Sequence, residues 1–380
     1  TSLVSAVPAQ VDNSTLAAFP PIGNQGSLWS CVSWATVYYQ MSHEVCLTLW
    51  CDNKNTTATR FSPKWAYNMV NFGQNAWSYF SDNYSLIQTS GAPSLDELPY
   101  DSNYLSWDLN ADHWKKAVNY RQNPVSYIAM GSTSGIDLAK QALANGHILV
   151  VGTYISSAIY STVQNAPGET SPFAGQSVIT YLNGTSGWHA MTVVGYDDSI
   201  WTDINGNSVV DTGERWAFKV ANSWWAGWRN AWYIWVTYDA FYSTSQVPGF
   251  APAGRWPFGY NGTNSLYLTS YTQKSRPILA KVTVSHASRS QMSLSCGISP
   301  NTSNTPTSYF YPSALSYKWG SYAFNGSSTE TPGTFYYDLT DIITGTSTID
   351  NSILYLMGYD NSTGNPLTVT SFEIIDGITG

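Results

Sequence analysis

Apolar and polar positions follow two periods along this chain, and the changeover falls near residue 147. Val32, Ala35, Val37, Tyr38, Tyr39 and Met41 lie near helical spacing and predict a helix over residues 31–43. Residues 62–73 predict a second, with Ser62 as its N-cap and Pro63 at the first helical position, where a missing N–H costs nothing. Residues 74–130 read as loop with aromatic anchors, and residues 135–145 as a short helix closed by Asn145-Gly146. From there the runs at 148–155, 190–196, 216–220 and 232–238 are of β type. Helices early and strands late predict an α+β domain over residues 1–242, entered through an extended lead-in at residues 1–24.

Pro248, Gly249, Pro252, Gly254, Pro257 and Gly259 mark residues 243–260 as a linker. Beyond it no helical period recurs. Short runs at 265–270, 278–285, 291–296, 335–339, 353–358 and 367–375, separated by Asn/Gly/Ser/Thr turns, predict an all-β sandwich over residues 261–380.

Composition narrows the function classes. Acidic residues (24) exceed basic ones (16) with no Lys/Arg cluster, which leaves no footprint for nucleic acid. No apolar run approaches the ~20 residues of a membrane span. The sequence opens at Thr1 without an initiator Met or secretory leader, and so reads as a trimmed or processed chain. Asn-X-Ser/Thr sequons at Asn13, Asn55, Asn83, Asn183, Asn261, Asn301, Asn325 and Asn361 are candidate glycosylation sites. With a hydroxyl-rich, Lys-poor composition they point to a secreted, extracellular or cell-surface protein. Cys46 and Cys51 are placed to pair in an oxidising compartment, leaving Cys31 and Cys296 in different parts of the chain.

The candidate chemistry starts at Cys31. A cysteine opening a helix faces unpaired backbone N–H groups and the positive end of the helix dipole, both of which favour the nucleophilic thiolate. Such a nucleophile needs a base, and the base needs an orienting group. His43 lies roughly 18 Å along the same helix at about 1.5 Å per residue. His113 sits in a polar loop, His147 follows a helix end, and His286 belongs to the sandwich. His189 remains, at the mouth of the 190–196 strand. The next strand ends in Asn222, able to accept the imidazole N–H, with Trp224 able to cover that bond. Taken singly, Cys31 and His189 also read as structural residues.

Together the stretches Gln25-Gly-Ser-Leu-Trp-Ser-Cys31, Trp188-His189-Ala-Met-Thr-Val-Val-Gly-Tyr196 and Asn222-Ser-Trp224-Trp-Ala-Gly227-Trp resemble, in order and separation, the three active-site blocks of papain-like cysteine peptidases. The lead-in Val7–Asp12 and Pro99-Tyr100 are similar to further landmarks, so the resemblance spans about residues 7–240. It implies a two-lobed domain, helical on the left and β-barrel-like on the right. It further implies Cys31 as nucleophile, His189 as base and then acid, and Asn222 as its orienter. Gln25 and the Cys31 N–H would form the oxyanion hole. Trp224, Trp29 and Trp188 would shield the site or bind a polypeptide substrate, and catalysis would require no cofactor. The chain departs from the family in having Leu28-Trp29 where Cys-Gly is usual, Val32 after the nucleophile, and no Gly-Gly strand for substrate.

Two expectations stand beside this. Asp203, Asn205, Asn207, Asp211 and Glu214 match the oxygen spacing of an EF-hand-type calcium loop, although Ser208 replaces its glycine; an Asn/Gly-rich hairpin is the alternative. The sandwich is expected to bind a carbohydrate, cell-surface or protein ligand. The competing function is a surface or filament-forming structural protein that uses a papain-like scaffold with little or no catalysis.

Overall fold

The computed structural model describes residues 7–273, 278–343 and 351–376, so residues 1–6 of the predicted lead-in and parts of the predicted sandwich lie outside the described residues. The helix predicted from residue 31 starts there and runs further than expected. Cys31–Ser33 (α1) leads into wider π turns over Trp34–Met41 and returns to α geometry over Ser42–Leu49 (α2). Every residue from 31 to 46 is buried, although Ser33, Thr36, Gln40, Ser42, His43 and Glu44 are polar. Its polar members bond to the strands beside them. Gln40 Nε2 donates to the carbonyls of Ile148 (3.0 Å) and Tyr267 (2.9 Å), and the Glu44 carboxylate accepts from Ile148 N–H at 3.2 Å. The helix ends at Trp50, whose left-handed backbone (φ 56°) turns the chain back so that Cys51 reaches Cys46, and the two form the expected disulfide.

The second predicted helix is Pro63–Val70 (α3). Pro63 opens it as expected, but Ser62 makes no side-chain cap bond, its hydroxyl being buried without a partner among the described residues. The stretch read as loop holds two further helices, Phe80–Thr89 (α4) and Ala111–Ala117 (α5). Signals for α5 were present: Asn110 caps Asp112 N–H, and Lys115 and Lys116 face the negative end of the dipole. Thr133–Ala144 (α6) closes at Asn145, with Gly146 at φ 89°.

The chain divides into two compact units. The first (residues 1–26, 34–56 and 125–270) is built on a nine-stranded sheet. Its strands are Gln10–Asp12 (β1), Ser126–Ala129 (β2), Leu149–Tyr154 (β3), Ala158–Thr162 (β4), Ser177–Leu182 (β5), Trp188–Trp201 (β6), Arg215–Ala221 (β7), Tyr233–Thr237 (β8) and Ser265–Leu268 (β9). The order is β2-β9-β3-β6-β7-β8-β5-β4, with β1 on β6, and only β5 and β8 run parallel. β3 is buried on both faces, which is why its sequence is continuously apolar rather than alternating.

Two boundaries are corrected here. Ser265–Leu268, predicted as part of the sandwich, pairs with β2 and β3 because Leu266 belongs to the core formed by Val151, Met191 and Val193. Residues 243–260 are not a free linker: Trp256 exchanges backbone bonds with Leu182, Phe258 N–H donates to Ala240 at 2.8 Å, and Val247 and Phe258 are buried.

The second unit comprises residues 27–33, 57–124 and 271–380. Ile278–His286 (β10) lies between Thr331–Asp338 (β13) and Thr368–Asp376 (β15), and Met292–Pro300 (β11) between Ser308–Phe310 (β12) and Ser352–Asp360 (β14). The two sheets share one core, to which β10 gives Ala280, β11 gives Cys296 and Ile298, β12 gives Phe310, β14 gives Leu354 and Leu356, and β15 gives Phe372. Helices α3, α4 and α5 belong to this unit rather than standing in a domain of residues 1–242. Trp114 meets Phe335 edge-on at 4.8 Å, Arg121 forms a buried ion pair with Asp338, and buried Arg289 donates to Leu105 O at 2.7 Å. Among the described residues no helix is long and apolar enough to cross a membrane.

Candidate active site

His189 enters β6 at its second residue, and Asn222 follows directly on the end of β7. The antiparallel register sets Thr192 against Ala221, which carries both side chains to the same end of the strand pair. His189 Nε2 lies 2.7 Å from Asn222 Oδ1, and the same oxygen accepts the Ser223 N–H at 2.8 Å. An atom that accepts a backbone N–H is the carbonyl end of the amide. The histidine nitrogen facing it therefore carries the hydrogen, which leaves the lone pair on Nδ1. The ring is held in the tautomer of a base. Trp224 stacks on the imidazole with ring centres 4.4 Å apart. Burial disfavours the imidazolium and lowers the His189 pKa to about 4, with Asn222 opposing that shift.

Gln25 joins the same group. Its N–H donates to Ser223 O at 2.8 Å, and its Oε1 accepts the Ser223 hydroxyl, also at 2.8 Å. That second bond makes Nε2 the end that offers hydrogens elsewhere. Tyr39 ties the buried helix to this group by donating to Asn222 O at 3.0 Å. Ser223 and Tyr39 were not singled out from sequence; Ser223 was legible as a member of the Asn-Ser-Trp block, and Tyr39 only as an apolar helix position.

The fold thus brings Gln25, His189, Asn222 and Trp224 together within the first unit. Cys31 and Trp29 belong to the second. Cys31 is buried and outside any disulfide. The residues around it are fixed: Trp29 N–H donates to Asn75 Oδ1 at 3.0 Å, Ser30 Oγ lies 2.6 Å from the Tyr100 hydroxyl, and Ser33 Oγ donates to Asn83 at 2.7 Å. Trp29 is 57% exposed, and Trp188 is half-buried beside His189.

The other histidines take structural roles. His43 bonds Gly146 O, His113 sits 2.6 Å from Asp108, His147 2.7 Å from Glu44, and His286 Nδ1 accepts Ser288 N–H. Two sequons are excluded: Asn13 and Asn83 are buried with their side-chain amides committed to neighbours, so neither can carry a glycan in the fold. Asn55, Asn183, Asn301, Asn325 and Asn361 are exposed and Asn261 half-exposed.

In the 203–214 loop the five predicted ligands do converge, but on one another. Asp203 accepts the N–H groups of Gly206, Asn207 and Ser208, and Glu214 those of Ile204 and Asp211. As they stand, the Asn205 and Asn207 amides turn N–H groups rather than oxygens toward Asp211, at 2.8 and 2.7 Å. Among the described residues no cluster of three or more His, Cys, Asp or Glu is arranged to hold a metal.

No family model and no curated protein matches this sequence. Among solved structures the fold is similar to the bromelain protease from Ananas comosus (16% identity, 70% of this chain, 100% of that one, TM-score 0.45). It is similar also to xylellain, a cysteine protease from Xylella fastidiosa (19%, 70% and 88%, TM-score 0.45), and to digestive procathepsin L 3 of Tenebrio molitor larval midgut (15%, 71% and 73%, TM-score 0.43).

Proposed function

We propose that this protein is a secreted cysteine endopeptidase. The observation that carries the reading is the His189–Asn222 pair, which leaves the lone pair on Nδ1 of a buried imidazole. Cys31 gives its proton to Nδ1 and attacks the peptide carbonyl, forming the C–S bond; Gln25 Nε2 and the Cys31 N–H receive the developing oxyanion. His189 then passes the proton to the leaving amine as the C–N bond breaks. In the second half His189 takes a proton from water, whose oxygen displaces the thiolate and frees the acid.

Alkylation tests this directly. Burial pushes Cys296 up to about 12, so it is a slow internal control. An iodoacetamide should modify Cys31 at least 100-fold faster, and a bifunctional haloketone should bridge Cys31 to His189, read by peptide mass mapping. Equal or absent labelling of Cys31 leaves the structural-scaffold alternative, which the exposed Trp29 favours.

Secretion is supported by the Cys46–Cys51 disulfide and the exposed sequons, and is checked by glycan release shifting the mass. Calcium in the 203–214 loop would require Asn205 and Asn207 to turn their oxygens inward; a fall in Tm with chelator, reversed by calcium, is the outcome this part needs. A carbohydrate ligand for the sandwich is favoured by Tyr309 and Tyr311, both exposed and stacked at 5.9 Å. Retention on an insoluble polysaccharide, lost in Tyr311→Ala, would be its sign.

A further inference from the structure

The Asn-Ser-Trp block is followed by a second tryptophan that the proposed chemistry does not use. Trp225 is 60% exposed, among the most exposed large apolar side chains of the molecule. Its ring nonetheless has neighbours: it stacks on Trp224 at 5.9 Å with the planes 10° apart, and its edge lies in van der Waals contact with the position a Gly227 Cβ would take. Trp224 is held in turn by His189, stacked at 4.4 Å, and by Trp228, edge-on at 5.6 Å. The turn beneath is pinned although it is strained. Arg229, Ala231 and Trp232 all have positive φ (47°, 51° and 73°), Trp228 N–H donates to Trp225 O at 3.0 Å, and the Arg229 guanidinium lies 3.6 Å from the Tyr160 ring centre. Backbone strain of this kind persists only where surrounding contacts enforce it, and it gathers at functional sites.

We infer that Trp225 is a specificity-determining residue that receives the side chain of the residue directly after the scissile bond, and that it selects an aromatic or large aliphatic one. The inference rests on the peptidase reading and extends it. His189 must hand its proton to the leaving amine, so the residue bearing that amine passes alongside the imidazole. Trp224 covers one flank of that ring and is half-buried; the next aromatic face out from it is Trp225. A rigid, pre-stacked indole gains contact area with little ordering cost on binding, which favours a flat or bulky apolar partner over glycine or serine.

The test uses pairs of internally quenched peptides that differ only in Phe or Gly after the cleaved bond, with the full-length wild type, Trp225→Ala and Trp225→Tyr. The wild type should favour Phe about tenfold in kcat/KM, an aromatic pair and its burial being worth that much. Trp225→Ala should bring the ratio close to one, and Trp225→Tyr should keep most of it. A flat ratio in the wild type, or a Phe preference that survives in Trp225→Ala, overturns the inference while hydrolysis and selective Cys31 alkylation leave the peptidase reading standing. Absence of both hydrolysis and selective alkylation in the wild type overturns the two together. Unchanged Tm in Trp225→Ala shows that the comparison is between folded proteins, as the exposure of the side chain leads one to expect.

Discussion

Asn222 Oδ1 accepts two hydrogens, one from His189 Nε2 and one from Ser223 N–H, and this double role fixes the imidazole tautomer. Asn222→Ala removes the acceptor and leaves two buried N–H groups, those of His189 Nε2 and Ser223, unpaired. Alkylation of Cys31 and peptide hydrolysis should both fall by 10-fold or more, with a stability loss of about 1–3 kcal/mol in urea unfolding. Asn222→Asp keeps an acceptor and should retain more of both rates. His189 also makes stability depend on pH. Its folded pKa is depressed from 6.5 to about 4, so the unfolded chain binds the proton first. Its contribution is complete above pH 6.5 and is lost as pH falls toward 4, up to about 3 kcal/mol at about 1.4 kcal/mol per pH unit. His147 has the opposite sign: the Glu44 hydrogen bond raises its pKa, so its contribution is complete below 6.5 and lost as pH rises through the raised value. Comparing wild type with His189→Ala and His147→Ala between pH 4.5 and 8 separates the two; the difference from His189→Ala should shrink on acidification.

At the scale of elements, the buried helix from Cys31 to Leu49 is the part whose extent the apolar pattern understated. Its last turns carry Gln40, His43 and Glu44, polar in sequence, and a periodicity argument stops there. They are buried because the ends of β3 and α6 offer backbone groups that satisfy them. Gln40→Leu should therefore destabilise despite being apolar, by about 2 kcal/mol, since two buried carbonyls lose their donor. The Cys46–Cys51 disulfide closes a loop of sequence separation 5 and should contribute about 2 kcal/mol, seen as a lower Tm for the double Cys→Ser variant. Helices α4 and α5 were missed because seven to ten residues show fewer than three periods, although Asn110 and the Lys115-Lys116 pair gave α5 its end signals.

For the whole molecule, the consequence lies in the boundary. The Pro/Gly-rich stretch at 243–260 reads in the sequence as a linker between a 1–242 domain and the sandwich. A cut after residue 260 removes β9 from between β2 and β3, and takes away the sandwich residues against which Trp114, Arg121 and Leu105 pack. A 1–260 fragment should lack a cooperative thermal transition and bind a hydrophobic dye, while the full chain unfolds cooperatively. A fragment with native-like Tm would restore the earlier boundary.

The sequence by itself determined the local chemistry: the three ordered blocks, the disulfide pair, the separation of helices from strands, and His189 as the histidine with an amide partner. These are legible because each depends on neighbours in the chain or on a short motif. Only the tertiary structure decided which helices share a core with the sandwich, that β9 completes the first sheet, that Asn13 and Asn83 are beyond the reach of glycosylation, and that the 203–214 loop satisfies its own carboxylates. Each of those depends on which distant segment buries a given surface or meets a given hydrogen bond, and residues far apart in sequence share no local pattern that would declare it.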